Sequence, residues 1–129
     1  MLIFNNMESY GLLLVRLALT AIFIYHGFPK IKSPSAIAQG IGWPVWGVFF
    51  LGLGEFVGGI LSLLGLLTEI AAIYFIVVML GALYYKIFKW DVPFAAMDKL
   101  GWEFDLIILG AALGLLFLGA GNISIDALM

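Results

Sequence analysis

Four apolar stretches dominate the sequence, and each is long enough to cross a lipid bilayer. They cover about residues 10–28, 45–67, 70–88 and 104–119. A hydrocarbon core of about 30 Å is crossed by a helix of about 20 residues. Backbone groups in lipid must be paired within the protein, and these stretches lack the alternation of barrel strands. The sequence therefore predicts an all-α fold, an integral membrane four-helix bundle that forms one domain.

The composition agrees with a membrane protein and excludes several kinds of chemistry. Of the 129 residues, 64% are hydrophobic and only 11% are charged, whereas a soluble domain has about 25% charged residues. The chain has no cysteine and one histidine, which argues against a metal site, a bis-His haem or an iron–sulfur cluster in this chain alone. No basic surface indicates nucleic-acid binding. A redox role would require an organic cofactor such as a quinone, or a partner subunit.

The N-terminal stretch MLIFNNMESY has no Lys or Arg. No small-residue cleavage pattern follows it, so it lacks the marks of a secretory signal peptide. We expect an uncleaved membrane anchor.

Two polar links, residues 29–44 and 89–103, are expected to lie on one membrane surface as short interfacial segments. All four tryptophans fall at the span ends on these links, where amphipathic rings prefer the headgroup zone. Five lysines lie on or beside the links, and the termini and the turn at residues 68–69 carry no Lys or Arg. These lysines are Lys30, Lys32, Lys86, Lys89 and Lys99. The positive-inside bias predicts cytoplasmic links and external termini in a multi-pass cell membrane protein.

Two charges fall inside the predicted spans. Arg16 lies about 9 Å from the outer end of the first helix, and Glu55 lies about 15 Å from the inner end of the antiparallel second helix. An unpaired charge near the bilayer centre costs about 2.5–3.5 kcal/mol or more, so each needs a partner. We expect Arg16 and Glu55 to pair. The pair could fix the helix register, or Glu55 could titrate or bind a ligand.

Small residues follow helical spacing beside Glu55 and on the fourth helix. The sequence contains Gly54-x-x-x-Gly58, with Gly59 next to it, and Gly110-x-x-x-Gly114. Small residues allow helix backbones to approach closely in membranes. These five glycines are therefore predicted to pack helices together.

Polar side chains are predicted to meet at the cytoplasmic end of the bundle. Pro29 is expected to end the first helix there, because proline disfavours helical angles in the residue before it. The side chains are Tyr25, His26, Lys30, Tyr84, Tyr85, Lys86, Glu103 and Asp105. Each has an ordinary explanation as a snorkelling lysine, an interfacial aromatic or a charge at a helix end. A histidine near carboxylates and hydroxyls would also suit a quinone headgroup or a proton entry point.

Three segments of the chain resemble the DoxX family of small four-helix membrane proteins. They are RLALTAIFIYHGFPKI, GEFVGGILSLLGLLT and GWEFDLIILGAALGLLFLGAGNISID. They carry an Arg, a His-Gly-x-x-Lys, a Glu-x-x-Gly-Gly and a terminal Gly-x-Gly-x-x-Ser-x-Asp. Residues 33–44 match no pattern of the family, so any specificity in that link is open.

The resemblance implies the four-helix fold and a set of positions. Members resemble the small membrane subunit of thiosulfate:quinone oxidoreductase or are linked to membrane oxidoreductase complexes. The implied activity is weaker than the implied fold, because fold alone does not determine chemistry. The positions carried over by motif are Arg16, His26, Gly27, Lys30, Glu55, Gly58, Gly59, Glu103, Ser124 and Asp126.

Three functions fit these observations. The first is a membrane subunit of a quinone-linked oxidoreductase, not catalytic alone, in which Tyr25, His26 and Glu103 bind the headgroup and handle protons. The second is a structural or assembly subunit that anchors a partner subunit or a second copy of the chain. The third is a small transporter that uses Glu55, although the chain has no inverted repeat.

Overall fold

The computed structural model describes residues 3–129; Met1 and Leu2 of the N-terminal stretch lie outside the described residues. The fold is all-helical over this range, as predicted from the sequence. The α-helices are α1 (Glu8–Lys32), α2 (Pro34–Ile41), α3 (Val45–Leu64), α4 (Thr68–Tyr84) and α5 (Trp102–Leu118). A π-helical turn, Tyr85–Lys89, continues α4, and a 3₁₀ turn, Asp126–Leu128, lies in the C-terminal tail.

Three helical segments are long and apolar enough to cross a membrane. They are Glu8–Lys32, Val45–Leu64 and Thr68–Lys89, which joins α4 to the π-helical turn. The fourth predicted span is α5, whose 17 residues rise about 25 Å. It ends at Gly119, where a φ of +79° turns the chain into the tail. The helix α5 is therefore as short as α4, but it has no π-helical turn to lengthen it.

The first helix does not end at Pro29, contrary to the expectation from sequence. It continues through Pro29 to Lys32. Proline inside a helix removes one backbone hydrogen bond and restricts the residue before it, and the last turn of α1 tolerates both effects. The chain bends instead at Ser33, and Pro34 begins α2, a short helix inside the first predicted link. The extra turn keeps Lys30 on α1.

The long helices pack in antiparallel order around an apolar core. The core consists of Leu19, Phe23, Ala71, Ala72, Phe75, Met79, Ile108, Ala112 and Leu115. At its centre the rings of Phe23 and Phe75 stack with centroids 3.9 Å apart and nearly parallel planes. Large apolar side chains such as Val77 and Phe117 point outward. An outward apolar surface of this kind suits lipid and not water.

Glycines set the distance between α3 and its neighbours. Cβ positions built at Gly54 and Gly58 would collide with the rings of Tyr74 and Phe75 on α4. The same position on Gly59 would lie 2.8 Å from the side chain of Ile24 on α1. Each glycine therefore leaves room for one larger side chain of the adjacent helix.

Gly110 and Gly114 differ from the other predicted packing glycines. A Cβ on either residue would meet nothing within 4 Å. The prediction that they pack helices is wrong within this chain, because they lie away from the α4 and α1 contacts. Their spacing predicts a close-packing surface but does not indicate which side of α5 faces the core.

The backbones of α1 and α3 approach each other closely where the two helices cross. A Cβ on Gly27 would lie 2.8 Å from the carbonyl oxygen of Gly52 and 3.0 Å from Cβ of Glu55. A Cβ on Gly52 would collide with Cβ of Lys30. This crossing places Lys30 directly beside Glu55.

Gly52→Ala is expected to lower the melting temperature, because the added methyl group must push α1 and α3 apart. Overpacking of this kind costs about 1–3 kcal/mol. The matched control is Gly110→Ala, which adds the same group to a helical glycine with open space around it. Thermal unfolding in detergent, followed by circular dichroism, compares the two variants. Equal melting temperatures would contradict the proposed close contact.

Candidate functional site

Arg16 is buried and bound entirely by backbone carbonyl groups. Its side chain is 1% exposed. Nε donates to Ser62 O at 2.8 Å and Nη2 donates to Leu63 O at 2.9 Å. Nη1 donates to Ala120 O at 3.1 Å and to Ile123 O at 2.6 Å. Arg16 thus joins the C-terminal end of α3, where the helix dipole favours a cation, to the tail that follows α5.

The predicted ion pair between Arg16 and Glu55 is wrong. Arg16 lies level with Ser62 near the end of α3, because α1 starts about two turns beyond that end. Ser62 is seven residues from Glu55, which is about 10 Å along the helix. The predicted pairing assumed that α1 and α3 begin and end at the same two membrane planes. The two helices differ in length and do not start at the same level, so the depths of Arg16 and Glu55 were not comparable. Arg16 instead uses carbonyl groups within its reach.

The terminal Gly-x-Gly-x-x-Ser-x-Asp motif folds onto the turn between α3 and α4. Asp126 accepts hydrogen bonds from the backbone N–H groups of Leu67 and Thr68, at 2.9 and 3.0 Å, and so caps the start of α4. Its own N–H donates to Gly65 O at 2.8 Å. Burial opposes ionisation of Asp126, but its contacts with Thr68 and Leu67 and the nearby charge of Arg16 outweigh this and lower its pKa. The motif is explained by helix capping.

Glu55 pairs with Lys30. Nζ of Lys30 lies 2.6 Å from Oε1 of Glu55, whose side chain is 2% exposed. The lysine side chain is 19% exposed and therefore lies between the protein interior and the outside. The family motifs His-Gly-x-x-Lys and Glu-x-x-Gly-Gly meet at this pair.

A second ion pair lies at the same end of the bundle. Nζ of Lys86 lies 2.6 Å from Oδ2 of Asp105, and both side chains are largely buried. Glu103, the carboxylate singled out in the sequence, is exposed. Residues two apart on a helix point to nearly opposite sides, so only one of these two could face inward. The prediction that Glu103 belongs to the polar cluster is therefore wrong, and Asp105 takes that place.

His26 lies near members of both ion pairs. Its ring centroid is 5.8 Å from that of Phe104 on α5. The side chain is half-buried and close enough to Lys30, Lys86 and Asp105 to interact with their charges. Three elements, α1, the π-helical turn and α5, bring these four groups together.

The tyrosines of the predicted cluster divide into two groups. Tyr25 is 76% exposed on the outside of α1 and touches His26 edge to face. Tyr84 is 50% exposed. The hydroxyl of Tyr85 accepts a hydrogen bond of 3.1 Å from Nε1 of Trp43, which ties the start of α3 to the π-helical turn. The sequence did not predict the role of Tyr74. Its ring occupies the space beside Gly54 that a side chain would fill, and its hydroxyl donates to Leu51 O.

A groove of about 510 Å³ opens between α1 and α2 beside His26. We call it the His26 groove, and its lining residues are Ile24, Tyr25, His26, Phe28, Pro29, Lys30 and Ile37. His26 and Lys30 are the residues of this lining that carry nitrogen donors, and most of the others are apolar. Such a site suits a flat apolar molecule that carries oxygen acceptors.

A second hollow, of about 580 Å³, lies outside α5 and includes Lys99 and Glu103. It is formed by the link before α5 and contains neither member of the buried ion pairs. Among residues 3–129, no three His, Asp or Glu side chains lie close enough together to hold a metal ion. The His26 groove is the better candidate site, because its lining includes Lys30, a member of a buried ion pair.

Comparison with known proteins places this arrangement in a family. The DoxX family model matches residues 11–90, which is more than half of the chain. The chain belongs to the DoxX family. The matched region contains Arg16, Tyr25, His26, Lys30 and Glu55 and ends before α5.

Two relatives match over most of their length. "Putative oxidoreductase CatD" of Bacillus subtilis (strain 168) is 28% identical over 125 residues, which cover 95% of this chain and 89% of the relative. "Inner membrane protein YphA" of Escherichia coli (strain K12) is 31% identical over 122 residues, which cover 89% of this chain and 87% of the relative. No solved structure matches the chain.

Arg16→Met is expected to destabilise this DoxX-family chain strongly, because four carbonyl groups lose their common donor. Hydrogen bonds to a charged group contribute about 1.5–3 kcal/mol each and do not add fully, so we expect a loss of about 3 kcal/mol or more. Arg16→Lys should lose less, since it keeps the charge but has fewer donors in fixed geometry.

The matched control is Lys32→Met, which removes an exposed cation from the same helix. Thermal unfolding in detergent compares all three variants with the parent chain. An Arg16→Met variant as stable as the control would show that the carbonyl groups do not depend on Arg16.

Proposed function

We propose that this DoxX-family chain is the membrane subunit of a quinone-linked oxidoreductase and that the His26 groove holds the quinone headgroup. The observation that carries the proposal is the placement of Lys30 and His26 in an apolar groove, with one buried carboxylate directly behind Lys30 and a second near His26. The relative named as an oxidoreductase supports the reaction class. Electrons would come from a partner subunit, since no side chain of this chain is an evident electron carrier.

The chemistry of the groove fits a quinone. A quinone ring is flat and apolar, and its two carbonyl oxygens accept hydrogen bonds. Nζ of Lys30 and the ring N–H of His26 are suitable donors, and Ile24, Phe28 and Ile37 provide apolar contact. A quinone bound in this groove would undergo reduction or oxidation, with the protein providing orientation and protons.

The alternative is a structural or assembly subunit. Its supporting observation is the outward position of Gly110 and Gly114, which leaves a smooth surface on α5 for a partner helix. In that case the ion pairs would serve only to hold the helices together. The labelling experiment below separates the two functions.

An azido-quinone that reacts on illumination should label peptides from α1 and α2 of the purified chain. Replacement of His26 by Phe keeps the ring but removes the N–H donor, which contributes about 1 kcal/mol. We expect labelling to require about fivefold more probe in His26→Phe. The control, Lys99→Met, alters the hollow outside α5 and should label like the parent. Label confined to other helices, or no label, would favour the assembly subunit.

We also propose four membrane crossings, with the links before and after the α3–α4 hairpin in the cytoplasm and both termini outside. The five lysines at one end of the bundle support this orientation. It would place the His26 groove at the cytoplasmic surface.

The absence of cysteine in the chain makes the orientation simple to test. Ser35→Cys marks the link in α2, and Asn122→Cys marks the tail; both positions are exposed. A maleimide that cannot cross membranes should label Asn122→Cys in right-side-out vesicles and Ser35→Cys in inverted vesicles. The reverse pattern would show that the chain has the opposite orientation.

A further inference from the structure

Lys30 faces two environments at once. Lys30 is one of the residues that line the His26 groove, and its Nζ lies 2.6 Å from Oε1 of the buried Glu55. The stem of Lys30 packs against Gly52, in the narrow space where α1 and α3 cross. A molecule in the groove would therefore lie beside the residue that neutralises Glu55.

Few charged or titratable groups face Glu55. From α1 there is Lys30, and from α4 there is Tyr74, which is close enough to interact with the carboxylate. The Tyr74 hydroxyl donates to Leu51 O at 2.8 Å, so it does not donate its proton to Glu55. His26 is on the groove side of Lys30. Within residues 3–129, Lys30 provides the side-chain hydrogen bond that Glu55 accepts.

A buried carboxylate that loses its counter-ion does not remain charged at low cost. Its desolvation is no longer offset, and it takes up a proton instead. Any interaction that draws the ammonium of Lys30 toward the groove therefore changes the preferred protonation state of Glu55. The geometry therefore couples binding of a molecule in the groove to protonation of Glu55.

We propose that Glu55 exchanges a proton with the molecule in the His26 groove through Lys30. The inference rests on the proposed function, which supplies a hydroquinone or quinone as that molecule. Lys30 gives one Nζ proton to Oε1 of Glu55 and takes one from a hydroxyl group of a bound hydroquinone. The lysine ends as an ammonium, Glu55 ends neutral, and the negative charge moves from the interior to the oxygen beside Lys30. Total charge is unchanged, and the reverse transfer returns the proton.

The second buried carboxylate does not provide the same route. Asp105 is paired with Lys86, whose Nζ also lies over the ring of Phe104 and 3.4 Å from Leu100 O. Neither Asp105 nor Lys86 lines the His26 groove. Direct proton exchange with a molecule in the groove is therefore assigned to Glu55 and not to Asp105.

Infrared difference spectroscopy of the intact chain in lipid nanodiscs tests the proposal without an activity assay. The probe is menadiol, a hydroquinone without an isoprenoid tail, and its binding is measured separately by calorimetry. In the parent chain, binding should produce the carbonyl stretch of a protonated carboxylic acid. The band should be absent from Glu55→Gln and unchanged in Glu103→Gln, which alters an exposed carboxylate at the same end of the bundle.

Lys30→Met provides a second measurement that does not depend on Glu55→Gln folding. Because it removes the counter-ion, its carbonyl band should be present before menadiol is added and should not grow afterwards. A purely structural ion pair would not predict a band that depends on the ligand. The band of the parent chain also shifts in deuterated buffer if it arises from a carboxylic acid.

The outcomes separate the two proposals. Menadiol binding without the band, or a band that persists in Glu55→Gln, overturns proton exchange and leaves the quinone site standing. A band in the parent chain before menadiol is added also overturns it, because Glu55 would already be protonated. Failure of menadiol to bind, together with no azido-quinone label on α1, overturns both.

Discussion

The crossing of α1 and α3 is the contact on which the other features depend. Gly27 and Gly52 bring the two backbones close enough that no side chain fits between them. This contact sets the register in which Arg16 reaches the end of α3 and Lys30 reaches Glu55. A charge buried in an apolar bundle needs a partner nearby. Sliding one helix by a single turn would leave Arg16 and Lys30 without theirs.

The sequence was sufficient for the class of fold but not for the choice of partners. Long apolar runs require helices in lipid, so an all-helical membrane bundle followed directly, and three of the four predicted spans are long and apolar enough to cross a membrane. The partners of Arg16 did not follow from the sequence, because every residue has a backbone carbonyl and no residue type marks the ones that bind. The sequence also does not show how far α1 extends beyond the end of α3. Glu103 and Asp105 lie two residues apart at the start of the same helix. Only the rotation of α5 about its axis decides that Asp105 faces inward.

The same limit explains the outcome for the glycines. Gly54 and Gly110 belong to identical small-residue patterns, yet Gly54 receives Tyr74 and Gly110 faces open space. A pattern of small residues predicts that a surface permits close approach, but a partner must be present on that side. The family motifs were more informative, since both halves of the Lys30 and Glu55 pair came from them.

The two ends of the bundle satisfy their charges in different ways, and this difference locates the proposed chemistry. At the end that contains the tail, Arg16 donates to four carbonyls and Asp126 caps α4, so these groups are occupied by the fold itself. At the other end, each buried carboxylate depends on one lysine, and Lys30 also reaches an open groove. A group with one exchangeable partner can change its protonation state when that partner is drawn away. The proposed quinone site and proton exchange therefore belong at the lysine-rich end, whereas the Arg16 end provides the rigid framework that holds α1 in position.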